Sequence, residues 1–173
     1  STVDKFGGIN HLVNNAAIFG NMELAGLTNV DYDYLDRFMK VNLMGALHCT
    51  RSVMDVMREG GGGSIVNQSS TAAWMGISGF YGLAKASLNF LTTSLAHELS
   101  HFNIRVNAIA PGTIAHSDRA SVHPYAPAGS RGPMGIPLGR TGDASDISGA
   151  ALYLVSDAAS YTTGAIIDIN GGR

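Results

Sequence analysis

Cysteine is nearly absent. Cys49 is the single thiol in 173 residues, so no disulfide forms within the chain, and the usage fits a reducing compartment. Charge is scarce as well: Asp, Glu, Lys and Arg together make up 14% of the residues and the net charge is −2. Without a basic block or a run of like charge, the chain lacks the electrostatic footprint of a nucleic-acid or anionic-membrane binder. No apolar run approaches the roughly 20 residues needed to span a bilayer. The opening residues do not read as a basic-then-apolar leader. The expected location is the cytoplasm. What the chain has in quantity is apolar side chains, 45% of the total, enough for one globular domain with a sizeable core.

Apolar segments of two kinds alternate. Ile9–Asn14, Ser64–Ser69, Ile104–Ala110 and Ala165–Ile169 read as short strands; Val30–Met57, Phe80–Phe102 and Ala144–Ser156 read as helices. On the second helix Ala84, Leu88, Leu91, Leu95 and Leu99 share a face. Strands separated by helices predict β-α-β units, and so a parallel sheet covered on both faces. Ser1–Phe6 followed by Gly7-Gly8 reads as the tail of a helix with a glycine C-cap. The chain is therefore expected to be a piece of a longer one. Thr113–Pro137 breaks the rhythm, holding four of the five prolines. So long an aperiodic stretch is expected to be a substrate lid or binding loop, or else mobile. Gly60–Gly63 precedes a strand rather than following one, so it reads as a flexible turn and not a phosphate-cradling loop.

Polar residues interrupt these patterns at places where chemistry could sit. Tyr81 and Lys85 are four apart on a helix, which brings phenol and ammonium onto one face. A cation beside a phenol favours the phenolate, and that makes a general base able to take a proton from an alcohol. The first helix carries a stripe at Leu35, Met39, Asn42, Ala46, Cys49, Val53 and Val56, spaced as a core face. Asn42 stands in its middle, and a buried amide needs partners: either backbone, as a structural bridge, or water or ligand. Ser69-Ser70, Asn14-Asn15-Ala16-Ala17 and Ala110-Pro111-Gly112 all fall at the carboxyl ends of predicted strands, where open α/β sheets bind ligands.

The segments Leu12-Val13-Asn14-Asn15-Ala16-Ala17, Val41-Asn42-Leu43-Met44-Gly45, Ile65-Val66-Asn67-Gln68-Ser69-Ser70, Tyr81-x-x-x-Lys85 and Arg105-Val106-Asn107-Ala108-Ile109-Ala110-Pro111-Gly112 resemble, in order and separation, successive motifs of the short-chain dehydrogenase/reductase family. Thr163-Gly164 through Asn170-Gly171-Gly172 is similar to the family's closing strand. The resemblance implies an α/β, Rossmann-like doubly wound parallel sheet, incomplete here: one partial domain over residues 1–173, made of the last four strands and their helices. It implies reversible hydride transfer between NAD or NADP and an alcohol or ketone. By the same resemblance Tyr81 is the acid/base, and Lys85 holds the nicotinamide ribose and lowers the phenol's pKa. Ser70 bonds the substrate oxygen, and Asn42 fixes a helix irregularity and a relay water. Asn15, Ala16 and Ala17 flank the adenosine ribose, and Pro111, Gly112 and Ile114 pack near the nicotinamide. The family's usual self-association implies a homodimer or homotetramer of the full-length protein, with Leu43, Met44, Leu47 and Met54 as candidate surface residues.

Departures from the pattern are specific. Ala17 stands where the family has glycine. Ser70 precedes Tyr81 by eleven positions, a residue or two fewer than usual, which leaves Ser69 as the alternative. His116 replaces a threonine that commonly touches the nicotinamide amide. The family's glycine-rich pyrophosphate turn is not in this sequence, so Ile9–Asn14 is expected to be an exposed sheet edge. The 173-residue chain alone is then expected to bind NAD(H) or NADP(H) poorly; tight binding in calorimetry would contradict this. Two rivals remain. One is a non-catalytic nicotinamide-binding or structural member of the same fold, against which Asn42, Ser70, Tyr81 and Lys85 are all retained. The other is a zinc peptidase, from His97-Glu98-Leu99-Ser100-His101, which spells H-E-x-x-H on a helix. That pattern lacks a downstream third ligand at the usual spacing, and no metal is expected. His11, His48, His116 and His123 show no ligand spacing; His116 and His123 could touch substrate from the lid.

Overall fold

The computed structural model describes every residue except Asn21, Leu24, Ile77 and 116–134. His116, His123 and most of the expected lid therefore lie outside the described residues. Four strands form one parallel sheet in the order β1 (His11–Asn14), β2 (Gly63–Gln68), β3 (Ile104–Pro111), β4 (Ile166–Ile169). Between them run α1 (Thr2–Phe6, before β1), α2 (Tyr32–Met39), α3 (Gly45–Glu59), α4 (Gly79–Leu99) and α5 (Ala144–Val155). This is a Rossmann-like α/β sheet of four strands with helices on both faces. α1 has its own N-cap at Ser1 and ends on Gly7 at φ 78°, the left-handed C-cap that glycine adopts without strain.

Alternation along the strands builds the two layers. Ile65 is in register with Val106, and both join Met57 of α3 and Leu95, Ala96 and Leu99 of α4 in one buried cluster. Val66 and Ile109 point the other way, against Leu154 of α5 and Ala159. A third cluster joins Tyr34 and Phe38 of α2 to Phe80 and Ala84 of α4. This last group lies directly behind the site. Among the described residues β1 pairs only with β2 and is the expected edge: Leu12 packs on the first cluster, whereas Val13 is 50% exposed.

The structure corrects the expected stripe on the first long helix. That helix is interrupted by a π-helical turn over Lys40–Met44, in which the Gly45 N–H donates to the Lys40 carbonyl five residues back. The extra residue shifts the phase of everything downstream. The buried series is Tyr34, Phe38, Asn42, Ala46, Thr50 and Met57; Cys49 is exposed and Val56 only half-buried. A regular 3.6-residue period cannot foresee that displacement. The Gly60–Gly63 turn is also tighter than expected. Gly62 sits at φ +124°, where a Cβ would lie 2.7 Å from Asn103 Nδ2, and Asn103 Nδ2 donates to the Gly61 carbonyl at 2.9 Å. This bond ties the turn to the β3 entry.

Candidate active site

The carboxyl ends of the strands meet the first turns of α4. β2 continues through Ser69 to Ser70, which has extended backbone and N-caps a short 3₁₀ turn over Thr71–Ala73 by accepting from the Ala72 N–H at 3.2 Å. α4 packs on that turn, and its face carries Tyr81 and Lys85 toward the strand ends. Lys85 is 3% exposed, and its Nζ donates to the Gln68 carbonyl at 2.6 Å. The same Nζ lies 5.8 Å from the centroid of the Tyr81 ring. The expected pair therefore forms. Burial lowers Lys85 from its ordinary 10.5 to about 8, because a desolvated ammonium is penalised; at neutral pH it still carries its proton.

Tyr81 behaves differently from the phenol expected of the pair alone. Burial raises its pKa, and a hydrogen bond with Ser70 pulls in the opposite direction without overcoming it. The ammonium lies over the ring and bonds a strand carbonyl, so it is not spent on the hydroxyl. Tyr81 is consequently a protonated phenol at neutral pH, suited in this state to giving a proton to a carbonyl oxygen. Its ring is backed by Phe38 at 6.4 Å, near-perpendicular, and faced by Phe19 at 5.5 Å.

Ser70, not Ser69, meets the phenol. Ser69 is buried and turned into the protein, donating to Asn89 Oδ1 at 2.5 Å. Both polar ends of the Asn42 side chain bond backbone: its Oδ1 accepts from the Ile18 N–H at 3.1 Å, and its Nδ2 donates to the Phe38 carbonyl at 3.1 Å. It thus ties the loop after β1 to the π turn. Below the site, Asn14 Nδ2 donates to Asn67 Oδ1 at 2.9 Å and Asn67 Nδ2 to Thr92 Oγ1 at 2.9 Å. That chain stitches β1, β2 and α4 together.

The other predicted positions share this edge. Asn15, Ala16 and Ala17 are exposed at the end of β1. Pro111 closes β3 and is buried, and the Gly112 N–H donates to the Ile169 carbonyl at 2.9 Å. Ile114 pairs with Gly142 in an isolated bridge. The residues fit a nicotinamide cofactor: among the described residues, Gln68 is the sole acceptor for a buried ammonium with three N–H bonds, which leaves two for ribose hydroxyls.

Phe19, Gln68 and Asn89 were not foreseen. Asn89 had a signal, since Tyr81, Lys85, Asn89 and Thr92 form a polar stripe at helical spacing on an apolar helix. Gln68 contributes only a main-chain carbonyl, which no sequence pattern marks. His97 near the far end of α4 and His101 in the turn just beyond it lie exposed, with the His101 ring 3.8 Å from the Phe102 ring and tilted by 44°. Among the described residues, no three His, Cys, Asp or Glu side chains gather as a metal site would require. None of the described helices is long and apolar enough to cross a membrane.

Residues 1–173 match the family described as enoyl-(acyl carrier protein) reductase. The solved structure of a short-chain type dehydrogenase/reductase from Mycobacterium ulcerans superposes with a TM-score of 0.87 at 33% identity, over 98% of this chain and 62% of that one. The chain is a short-chain dehydrogenase/reductase. An uncharacterized oxidoreductase of Mycobacterium tuberculosis is 51% identical over 171 residues, 99% of this chain and 68% of its own length. A 3alpha-hydroxysteroid dehydrogenase of Mediterraneibacter gnavus is 39% identical over 172 residues, 97% of this chain and 66% of its own. Such short-chain dehydrogenase/reductase relatives are oxidoreductases, and the family generally uses NAD(P).

Proposed function

We propose that this chain carries the catalytic part of an oxidoreductase that moves a hydride between NAD or NADP and an alcohol or ketone. The single observation behind this reading is the convergence of Ser70 and Lys85 on Tyr81 at the strand ends. In the reducing direction the Tyr81 hydroxyl gives its proton to the carbonyl oxygen, and Ser70 Oγ–H bonds the same oxygen. The nicotinamide, when bound, supplies or accepts the hydride at the carbon. Lys85, oriented by the Gln68 carbonyl, holds the ribose through its remaining N–H bonds, and its charge stabilises the phenolate that Tyr81 becomes. Asn42 sets the widened turn and, with Lys85, holds the water through which Tyr81 regains its proton. Asn15, Ala16 and Ala17 flank the adenosine ribose; Pro111, Gly112 and Ile114 border the nicotinamide. In alcohol oxidation each proton moves the other way.

Residues 113–137 act as the substrate lid of this one partial domain, and the protein works in the cytoplasm. Self-association uses the apolar groove of about 630 Å³ lined by Leu43, Met44 and Leu47 on one side and by Phe90 and Leu91 of α4 on the other. A monomer of the full-length protein in light scattering would remove that assignment. The test of the reaction is Tyr81→Phe in the full-length protein. Turnover should fall by about 10²–10⁴ with nucleotide affinity retained; unchanged turnover would end the proposal.

A further inference from the structure

Ser69 and Ser70 are adjacent and chemically identical, and their surroundings give them different work. Ser69 is 2% exposed. Its N–H donates to the Ile109 carbonyl at 2.7 Å, its Oγ–H donates to Asn89 Oδ1 at 2.5 Å, and the Lys85 carbonyl lies 3.5 Å from the same oxygen. A hydroxyl has one proton, so the shorter contact takes it. Ser70 follows in extended backbone; its Oγ accepts from the Ala72 N–H at 3.2 Å and meets Tyr81. Past Ser69 the grip of the sheet loosens, since the Thr71 hydroxyl reaches the Pro111 carbonyl at 3.4 Å.

Asn89 stands on the helix that carries the other half of the site. Tyr81, Lys85 and Asn89 follow one another at steps of four on α4, which sets them along one face. From that face Lys85 Nζ bonds the Gln68 carbonyl at 2.6 Å, and Asn89 bonds the Ser69 side chain. The two residues before Ser70 are thus fastened to the same helix that presents the phenol. These fastenings are unequal. A lysine's flexible four-carbon stem follows its acceptor, whereas the Asn89 side chain is short and its bond directional.

We propose that Asn89 is a positioning residue: by taking the Ser69 hydroxyl it ties the end of β2 to α4 and so fixes the distance between Ser70 Oγ and the Tyr81 hydroxyl. It acts through Ser69 and touches neither substrate nor cofactor. Misplacing a reacting group by about 1 Å costs up to about 10²-fold in rate. The inference rests on the proposed roles of Ser70 and Tyr81.

The experiment follows the ionisation of Tyr81 in the full-length protein by NMR of tyrosine labelled with carbon-13 at Cζ, the Tyr81 signal being the one lost in Tyr81→Phe. Asn89→Ala should move that ionisation to higher pH, as Ser70→Ala does. Ser69→Ala breaks the same bond from the other side and should move it equally. The double variant should move it no further than either single change, because the two share one bond. With cyclohexanone and NADH or NADPH, the single-turnover rate of reduction should fall about tenfold in Asn89→Ala, with nucleotide KM changed less than twofold. A lower urea midpoint with the Tyr81 titration unmoved would mean that Asn89 only supports the fold, and would overturn the assignment. Additive shifts in the double variant, or an unchanged reduction rate, would overturn it as well. If Asn89→Ala does not fold, Ser69→Ala decides alone. The titration needs no turnover, so a shifted phenol in a protein that reduces no cyclohexanone upholds the tie and counts only against the hydride-transfer reading.

Discussion

Replacing Lys85 with methionine keeps the side-chain volume and removes the charge, and its effect on folding follows from the burial of the ammonium. The lysine falls from 10.5 to about 8, and at about 1.36 kcal/mol per pH unit the buried charge costs roughly 3 kcal/mol at neutral pH. Against this, the variant loses the bond to the Gln68 carbonyl, a charge-assisted interaction of about 1.5–3 kcal/mol. The two nearly cancel, so Lys85→Met should lie within about 2 kcal/mol of the parent at pH 7. The pH dependence carries the sharper signature. Between about 8 and 10.5 the unfolded chain holds a proton at Lys85 that the folded chain has released, so parental stability rises with pH across that window. The variant lacks this gain. Urea unfolding of both proteins at pH values from 7 to 10.5 should show the parent gaining roughly 3 kcal/mol on the variant. A constant difference between the curves would refute the claim that Lys85 is buried as a strained cation. If the proposed role holds, turnover in the full-length protein should be lost at every pH.

Ser70→Ala removes the bond that pulls the Tyr81 pKa down; ultraviolet titration, referenced to Tyr81→Phe, should find that phenol ionising at still higher pH. Asn42→Ala leaves the Ile18 N–H without its side-chain acceptor and the Phe38 carbonyl without its side-chain donor and should cost about 2 kcal/mol, read as a lower urea midpoint at constant slope; a change below about 0.5 kcal/mol would contradict it. Gly82→Ala would set a Cβ 2.7 Å from the Ala72 carbonyl, forcing the turn capped by Ser70 away from α4. Calorimetry should register a loss of about 1–3 kcal/mol, and kcat should fall through displacement of Ser70.

The alternation of strands and helices was legible because the central strands β2 and β3 bury both faces and so carry consecutive apolar residues. Ile65, Val66, Val106 and Ile109 occupy the layers that pattern requires. Tyr81 and Lys85 were legible because helical spacing alone puts them on one face, and Asn42 because it interrupts an apolar stripe. The choice between Ser70 and Ser69 was not, since it depends on Asn89 capturing one of them from α4. Nor was the raised phenol: sequence pairs Tyr81 with a cation, but the Gln68 carbonyl, a main-chain atom, draws that cation over the ring. Phe19 stayed hidden because its partner is 62 positions away and is met only through tertiary packing.

The five-residue turn at Lys40–Met44 acts as a gear between two helices that answer to different masters. α2 must aim Tyr34 and Phe38 at Phe80, while α3 must aim Ala46, Thr50 and Met57 at the sheet. A regular helix rotates by about 100° per residue, so deleting one residue inside the turn would satisfy the hydrogen-bond ladder and swing one helix out of alignment with its target. Mutational drift can therefore tune the side chains on either helix, but not the number of residues between them.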